Sequence, residues 1–140
     1  MIIGIDIHGV LDTHTVAFKT LIDMFRTSNH LIYIITGPEE HKAKEELDRL
    51  GLVSTVHYDK VLSVVDWLKE HLKEEQMWTD KNGNWWCDDA NWWCSKARIC
   101  TEFNVDVLFD DSAKYLIGWD VTECKTEFHL VERGSMERKR

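Results

Sequence analysis

The sequence predicts an α/β fold, with a central parallel sheet flanked by helices and a small tryptophan-rich hairpin inserted late in the chain. Three observations lead there. Short apolar, β-branched runs read as strands buried on both faces: IIGIDI at 2–7, HLIYIIT at 30–36 and VDVLF at 105–109. Segments of helical length lie between them. Each run ends in polar residues: Asp6 and His8, Thr36 and Gly37, Asp110 and Asp111. Strands alternating with helices build a parallel sheet. Such sheets place ligands at the C-terminal ends of their strands, so these polar residues converge on one edge.

The remaining elements follow in order. Thr15 to Ser28 reads as a helix, with Val16, Leu21, Ile22 and Phe25 on one stripe and Phe18 off it. Gly37-Pro38 opens a second helix, Pro38 suiting its first turn, that runs to Leu50 and stops at Gly51. Ser54 to His57 reads as a short third strand. Lys60 to Lys73 reads as a helix with a stripe of Val61, Val64, Val65, Leu68 and Leu72. MWTDKNGNWWCD at 77–88 reads as a hairpin turning near Asn82-Gly83. A helix follows from Asp89 to Phe103, ended by Asn104, and Lys125 to Val131 is the last strand. One domain over 1–132 is expected, with about 74–95 as the insertion. Residues 133–140 read as a mobile polar tail and not as a nucleic-acid arm.

Bulk properties narrow the function. At 140 residues, 44% hydrophobic and 30% charged, one compact domain is expected. A net charge of -8 argues against broad affinity for nucleic-acid backbones, yet allows a single phosphate held in a pocket. No run of about 18 apolar residues suggests a membrane span. The opening has no basic lead-in or small-residue cleavage site, so no signal peptide is expected. Cys87, Cys94, Cys100 and Cys124 form no CxxC pair, which suggests free thiols in a reducing, cytoplasmic setting. A zinc site from Cys87, Cys94 and a histidine has no matching ligand spacing.

The strand ends suit phosphate chemistry. Asp6 and Asp111, from different strands, suit a shared hard cation, and Mg²⁺ takes few carboxylates with waters and phosphate oxygens. Thr36 offers a hydroxyl, and the N–H groups around Gly37 would form an anion site at a helix start. A lysine would complete the pocket; Lys96 is the choice, with Lys60 and Lys114 as rivals. Each residue also has an ordinary reading: Asp6 closing a turn, His8 a loop histidine, Thr36 a helix cap, Lys96 a solvated helix lysine. His14, His41, His57 and His71 read as surface or packing residues. Trp78, Trp85, Trp86, Trp92 and Trp93 leave three readings open: a satellite core, a cap over the site, or a homodimer surface.

Together, IIGIDIHGVLD, YIITG, Lys96 and VLFDDS resemble, in order, the motifs of the haloacid dehalogenase-like (HAD) superfamily of phosphohydrolases. The resemblance covers about residues 1–115 and implies a Rossmann-like HAD fold. The chain is also similar to a phage and bacterial group in that superfamily with a DIHGV opening, which suggests no particular substrate. The resemblance implies that Asp6 is the nucleophile. It implies that Asp6, Asp111 and the His8 backbone carbonyl hold Mg²⁺ with Asp110 in support, and that Thr36, Gly37 and Lys96 bind phosphate. His8 stands where these phosphatases usually have an acid/base aspartate, and imidazole can do that work near neutral pH. The implied substrate is a nucleotide or sugar phosphate. The alternative is a binding or regulatory protein that keeps the metal site.

Overall fold

The computed structural model describes residues 1–132; the expected tail at 133–140 lies outside the described residues. The strands are β1 (Ile2–Ile5), β2 (Leu31–Thr36), β3 (Lys60–Ser63), β4 (Trp78–Thr79), β5 (Trp85–Trp86), β6 (Val107–Asp110) and β7 (Glu127–Leu130). The helices are α1 (Thr15–Thr27), α2 (Glu40–Arg49), α3 (Val64–His71), α4 (Asp89–Glu102) and α5 (Leu116–Thr122). Five parallel strands form the main sheet in the order β3-β2-β1-β6-β7, and β4 and β5 form a separate antiparallel hairpin.

Side chains alternate across a strand, and here they feed two cores. Ile3, Ile5, Ile32 and Ile34 pack with Phe18 and Ile22 of α1 and with Ala43 and Leu47 of α2. Tyr33, Ile35 and Leu108 pack with Val64 and Leu68 of α3 and with Ile99 and Cys100 of α4. Helices thus cover both faces, as the alternating pattern predicts. β1 lies at the centre of this sandwich. A Cβ on Gly4 would sit 2.8 Å from Ile35 Cδ1 and 3.1 Å from Leu108 Cδ1, so a larger residue would make those side chains shift.

Several boundaries differ from the sequence expectation. The first strand stops at Ile5, because Ile7 already belongs to a wide turn closed by Asp12 N–H on the Ile7 carbonyl at 3.1 Å. On α1, Phe18 is buried and meets Phe109 edge-on, while Val16 is 81% exposed. The buried stripe therefore runs through Phe18 and Ile22, four residues apart. α2 starts at Glu40 instead of Gly37-Pro38, and its first N–H donates to Asp66 Oδ2 at 2.9 Å. A carboxylate thus already occupies the helix start that Gly37 was expected to open.

The largest correction concerns the third strand. It is Lys60–Ser63, paired with Tyr33–Thr36, and the helix after it is only Val64–His71. Residues 54–57 contribute one isolated bridge, Ser54 to Tyr58. Ser63 is the hinge between strand and helix. Its backbone is extended, and its Oγ accepts from Asp66 N–H at 3.0 Å, which caps α3. Hydrophobicity runs on unbroken through Val61, Leu62, Val64 and Val65, so periodicity alone merged the two elements.

α5 was not expected. It seats Gly118 on α4, where a Cβ would lie 2.8 Å from Cys94 Cα. Its exposed side carries Leu116, Ile117 and Val121, which hides any amphipathic stripe. All four cysteines are free. No helix among the described residues is long and apolar enough to cross a membrane.

Candidate functional site

The centre is built where β1 and β6 end side by side. Ile5 is in register with Phe109, and Asp6 N–H donates to the Phe109 carbonyl at 3.0 Å. The next side chains, Asp6 and Asp110, therefore emerge together. Asp6 Oδ1 accepts from Ile7 N–H at 2.8 Å, and Asp110 Oδ1 accepts from Ser112 N–H at 2.9 Å. These bonds fix both carboxyl groups.

Lys96 reaches them from α4. It is 1% exposed, its Nζ lies 3.4 Å from Asp6 Oδ1, and it donates to Asp110 Oδ2. The Tyr115 ring lies beneath the ammonium, 4.5 Å from centroid to Nζ. Burial alone would pull the Lys96 pKa down, but Asp6 and Asp110 outweigh it and hold the ammonium above the ordinary lysine range. The Asp6 carboxyl is pushed up to about 7: burial raises it most, Lys96 pulls it down, and Asp110 and Asp111 raise it. Lys60 is exposed on β3, and Lys114 lies over Trp93 at 5.3 Å from the ring centroid. Of the three candidate lysines, Lys96 is the one that meets the acids.

Asp111 completes the acidic group. Ligand atoms of Asp6, Asp110 and Asp111 all lie within 4.8 Å of one another. Among the described residues this is the one group of three or more His, Cys, Asp or Glu side chains placed to hold a metal, and it contains no cysteine. Carboxylate oxygen donors gathered this closely could hold a hard divalent cation. Gly9 shapes this side of the site. Its φ is +80°, and a Cβ there would collide with the Asp111 carboxyl group.

His8 lies between these features without joining the buried acids. Its side chain is 56% exposed, and Nδ1 is 3.5 Å from Asp12 Oδ2. Asp12 Oδ1 accepts from Gly9 N–H at 2.7 Å and from Thr13 Oγ at 3.0 Å. Asp12 thus ties the turn to the imidazole. Sequence reasoning missed both Asp12 and Tyr115. The four-residue spacing of His8 and Asp12 offered a signal, whereas Tyr115 reaches Lys96 only through the unexpected segment after β6.

Thr36 ends β2 opposite Ser63. It is fully buried, and among the described residues its Oγ has no hydrogen-bond partner. Gly37 follows, its carbonyl accepting from Val65 N–H at 3.0 Å. Beside Gly37 and Pro38 opens a groove of about 230 Å³, walled by Trp85, Trp86 and Trp92.

The hairpin turn is organised by Asp80. Its Oδ1 accepts from the N–H groups of Asn82 and Asn84, at 2.8 and 3.0 Å, and its Oδ2 accepts from Trp86 Nε1 at 2.9 Å. Lys69 Nζ stands 4.3 Å from the Trp85 ring centroid, and Trp86 lies 5.2 Å from Trp92. Trp92 and Met77 pack on the second core, whereas Trp93 meets Tyr115 at 4.9 Å. The tryptophans therefore divide between core packing, the surroundings of Lys96 and the groove. Comparison with known proteins finds no matching family model and no matching curated protein.

Proposed function

We propose that this chain is a Mg²⁺-dependent phosphohydrolase of the HAD type, acting on a small phosphate monoester such as a nucleotide or sugar phosphate. One observation carries the reading: a buried lysine bridges Asp6 and Asp110, with Asp111 beside them, at the C-terminal ends of adjacent parallel strands. A purely structural lysine needs one acid, and burying two carboxyl groups around it with a half-buried third beside them is costly unless a further cation or ligand is bound.

In this reading the Asp6 carboxylate attacks phosphorus, and the bond to the leaving oxygen breaks. The leaving oxygen takes a proton from His8. Water then attacks the aspartyl-phosphate, gives a proton to His8 and releases phosphate. Lys96 orients Asp6 and offsets charge on the phosphoryl oxygens, and the buried Thr36 hydroxyl gains a partner by donating to one of them. Asp6, Asp111 and the His8 carbonyl would hold Mg²⁺, with Asp110 in support. The ion, when bound, supplies further neutralisation of phosphoryl charge. The tryptophan hairpin serves as a small cap.

A second reading, a binding protein that keeps the metal site, is favoured by the exposed His8 ring turned toward Asp12. Calorimetry with Mg²⁺ and a screen of phosphate monoesters tests both. We expect Mg²⁺ binding that Asp111→Asn weakens, and ester turnover that Asp6→Asn abolishes. Binding without turnover of any ester selects the second reading. Absence of both removes the phosphate-site interpretation.

A further inference from the structure

We infer that the groove between the tryptophan hairpin and the start of α2 seats a planar nitrogen heterocycle, a nucleobase, carried by the phosphorylated substrate. The phosphate end rests on the phosphohydrolase reading above; the base end rests on the groove itself.

Position is the first argument. Gly37 and Pro38 line the groove and directly follow Thr36, whose hydroxyl is fully buried and without a partner among the described residues. A phosphoryl group satisfying that hydroxyl would sit one residue along the chain from the groove's lining.

The walls are the second. Trp85, Trp86 and Trp92 face the groove together with the Pro38 ring and Val65. Flat π surfaces favour a flat ligand, because stacking on tryptophan works for any base face. A sugar alone would need several hydroxyl partners, and only Asn84 and Glu39 supply polar side chains here. Glu39 can only accept when ionised, and Lys42 holds it at 3.3 Å. Asn84 Nδ2 donates to Asp80 Oδ2 at 3.4 Å, which leaves the amide oxygen as the acceptor. The pair therefore suits a ring edge that carries N–H donors.

The third argument is rigidity. Asp80 binds the turn and the Trp86 indole together, and Lys69 covers the Trp85 ring. A groove held this way is already shaped before a ligand arrives, which lowers the ordering cost of binding. The net charge of -8 favours a single nucleotide over the end of a nucleic-acid strand.

The test uses the full chain with Mg²⁺. The kcat/KM is compared for guanosine and adenosine 5′-monophosphates, ribose 5-phosphate and glycerol phosphate. Binding of the free nucleosides is followed by quenching of tryptophan fluorescence. We expect the nucleotides to exceed ribose 5-phosphate by about tenfold or more, the scale of one base stacked on an aromatic ring. Trp86→Ala should remove most of that preference and weaken nucleoside binding by about as much, with Trp86→Phe intermediate. Trp86 is 40% exposed and belongs to neither core.

Saturable nucleoside binding that Trp86→Ala abolishes, with no ester hydrolysed, supports the groove while the phosphohydrolase reading fails. Equal turnover of all four esters without nucleoside quenching overturns the groove and leaves the phosphohydrolase reading standing. A dimer in sedimentation that Trp86→Ala splits overturns the inference, because the tryptophans then cover one another between copies.

Discussion

Lys96 Nζ lies 3.4 Å from Asp6 Oδ1 in a setting where the lysine is 1% exposed and the aspartate is buried. A buried charge is tolerated only with partners, so the two residues depend on each other, with Asp110 as the third member.

Removing the lysine should therefore be severe. Lys96→Met leaves Asp6 and Asp110 buried without their ammonium and should cost about 3–5 kcal/mol, read from urea denaturation at pH 7.5. Combining it with Asp110→Asn should cost less than the sum of the single changes. Additive losses would show that the ion pair does not couple the two positions.

The raised pKa of Asp6 gives a definite sign. Its carboxyl moves from the ordinary value near 3.8 to about 7, so between those values the folded chain holds a proton that the unfolded chain has lost. Stability from this group therefore falls as pH rises through that window. In chelator-treated protein, Asp6→Asn should be more stable than the parent at pH 8, by about 1 kcal/mol or more, with the gap closing toward pH 4. Millimolar Mg²⁺ should narrow the gap at pH 8 by favouring the ionised parent. Parallel stability curves for parent and variant would contradict this.

Gly9 tests the geometry around Asp111. Gly9→Ala must accommodate a Cβ against the Asp111 carboxyl group at a φ of +80°. Backbone strain alone should cost about 1–3 kcal/mol. The displaced carboxylate should also lose the melting-temperature gain that Mg²⁺ gives the parent. A variant retaining the full Mg²⁺ shift would separate Asp111 from the metal site.

His8 divides backbone from side chain. His8→Ala keeps the carbonyl, so the Mg²⁺-dependent rise in melting temperature should persist. Turnover should fall by about 10²–10⁴-fold, the usual contribution of a positioned acid/base. His8→Asp should recover part of it. Full activity in His8→Ala would assign the proton transfer to another group.

Much of the centre was legible because strand ends carry chemistry in parallel sheets. Asp6, Thr36, Asp110 and Asp111 follow recognisable apolar runs, and Lys96 lies on the helix before β6. The misread segment shows the limit. Val61 and Leu62 fit a helix stripe as well as a strand, and only Ser63, extended and capping Asp66, separates the two. The Ser63–Asp66 spacing is a helix-start signal that deserved more weight than periodicity. α5 escaped notice because Gly118 is buried for close approach and its apolar residues face outward. The His8–Asp12 contact had a signal in its four-residue spacing, but the turn that brings the pair together, with Gly9 at a φ of +80°, is not written in composition.

The order in which the chain is made bears on the centre. β1 pairs with β2 on one side and with β6 on the other, so Asp6 and Asp110 come from opposite ends of the described chain. A nascent chain carries Asp6 long before the lysine and second acid that complete the cluster, and such late pairings slow folding. The exposed Asn82-Gly83 tip lies in neither core, although the second core draws Tyr33 and Leu68 from before it and Ile99 and Leu108 from after it. Fragments divided there would each carry only part of the acid cluster, and Mg²⁺ binding on mixing them would report their reassembly.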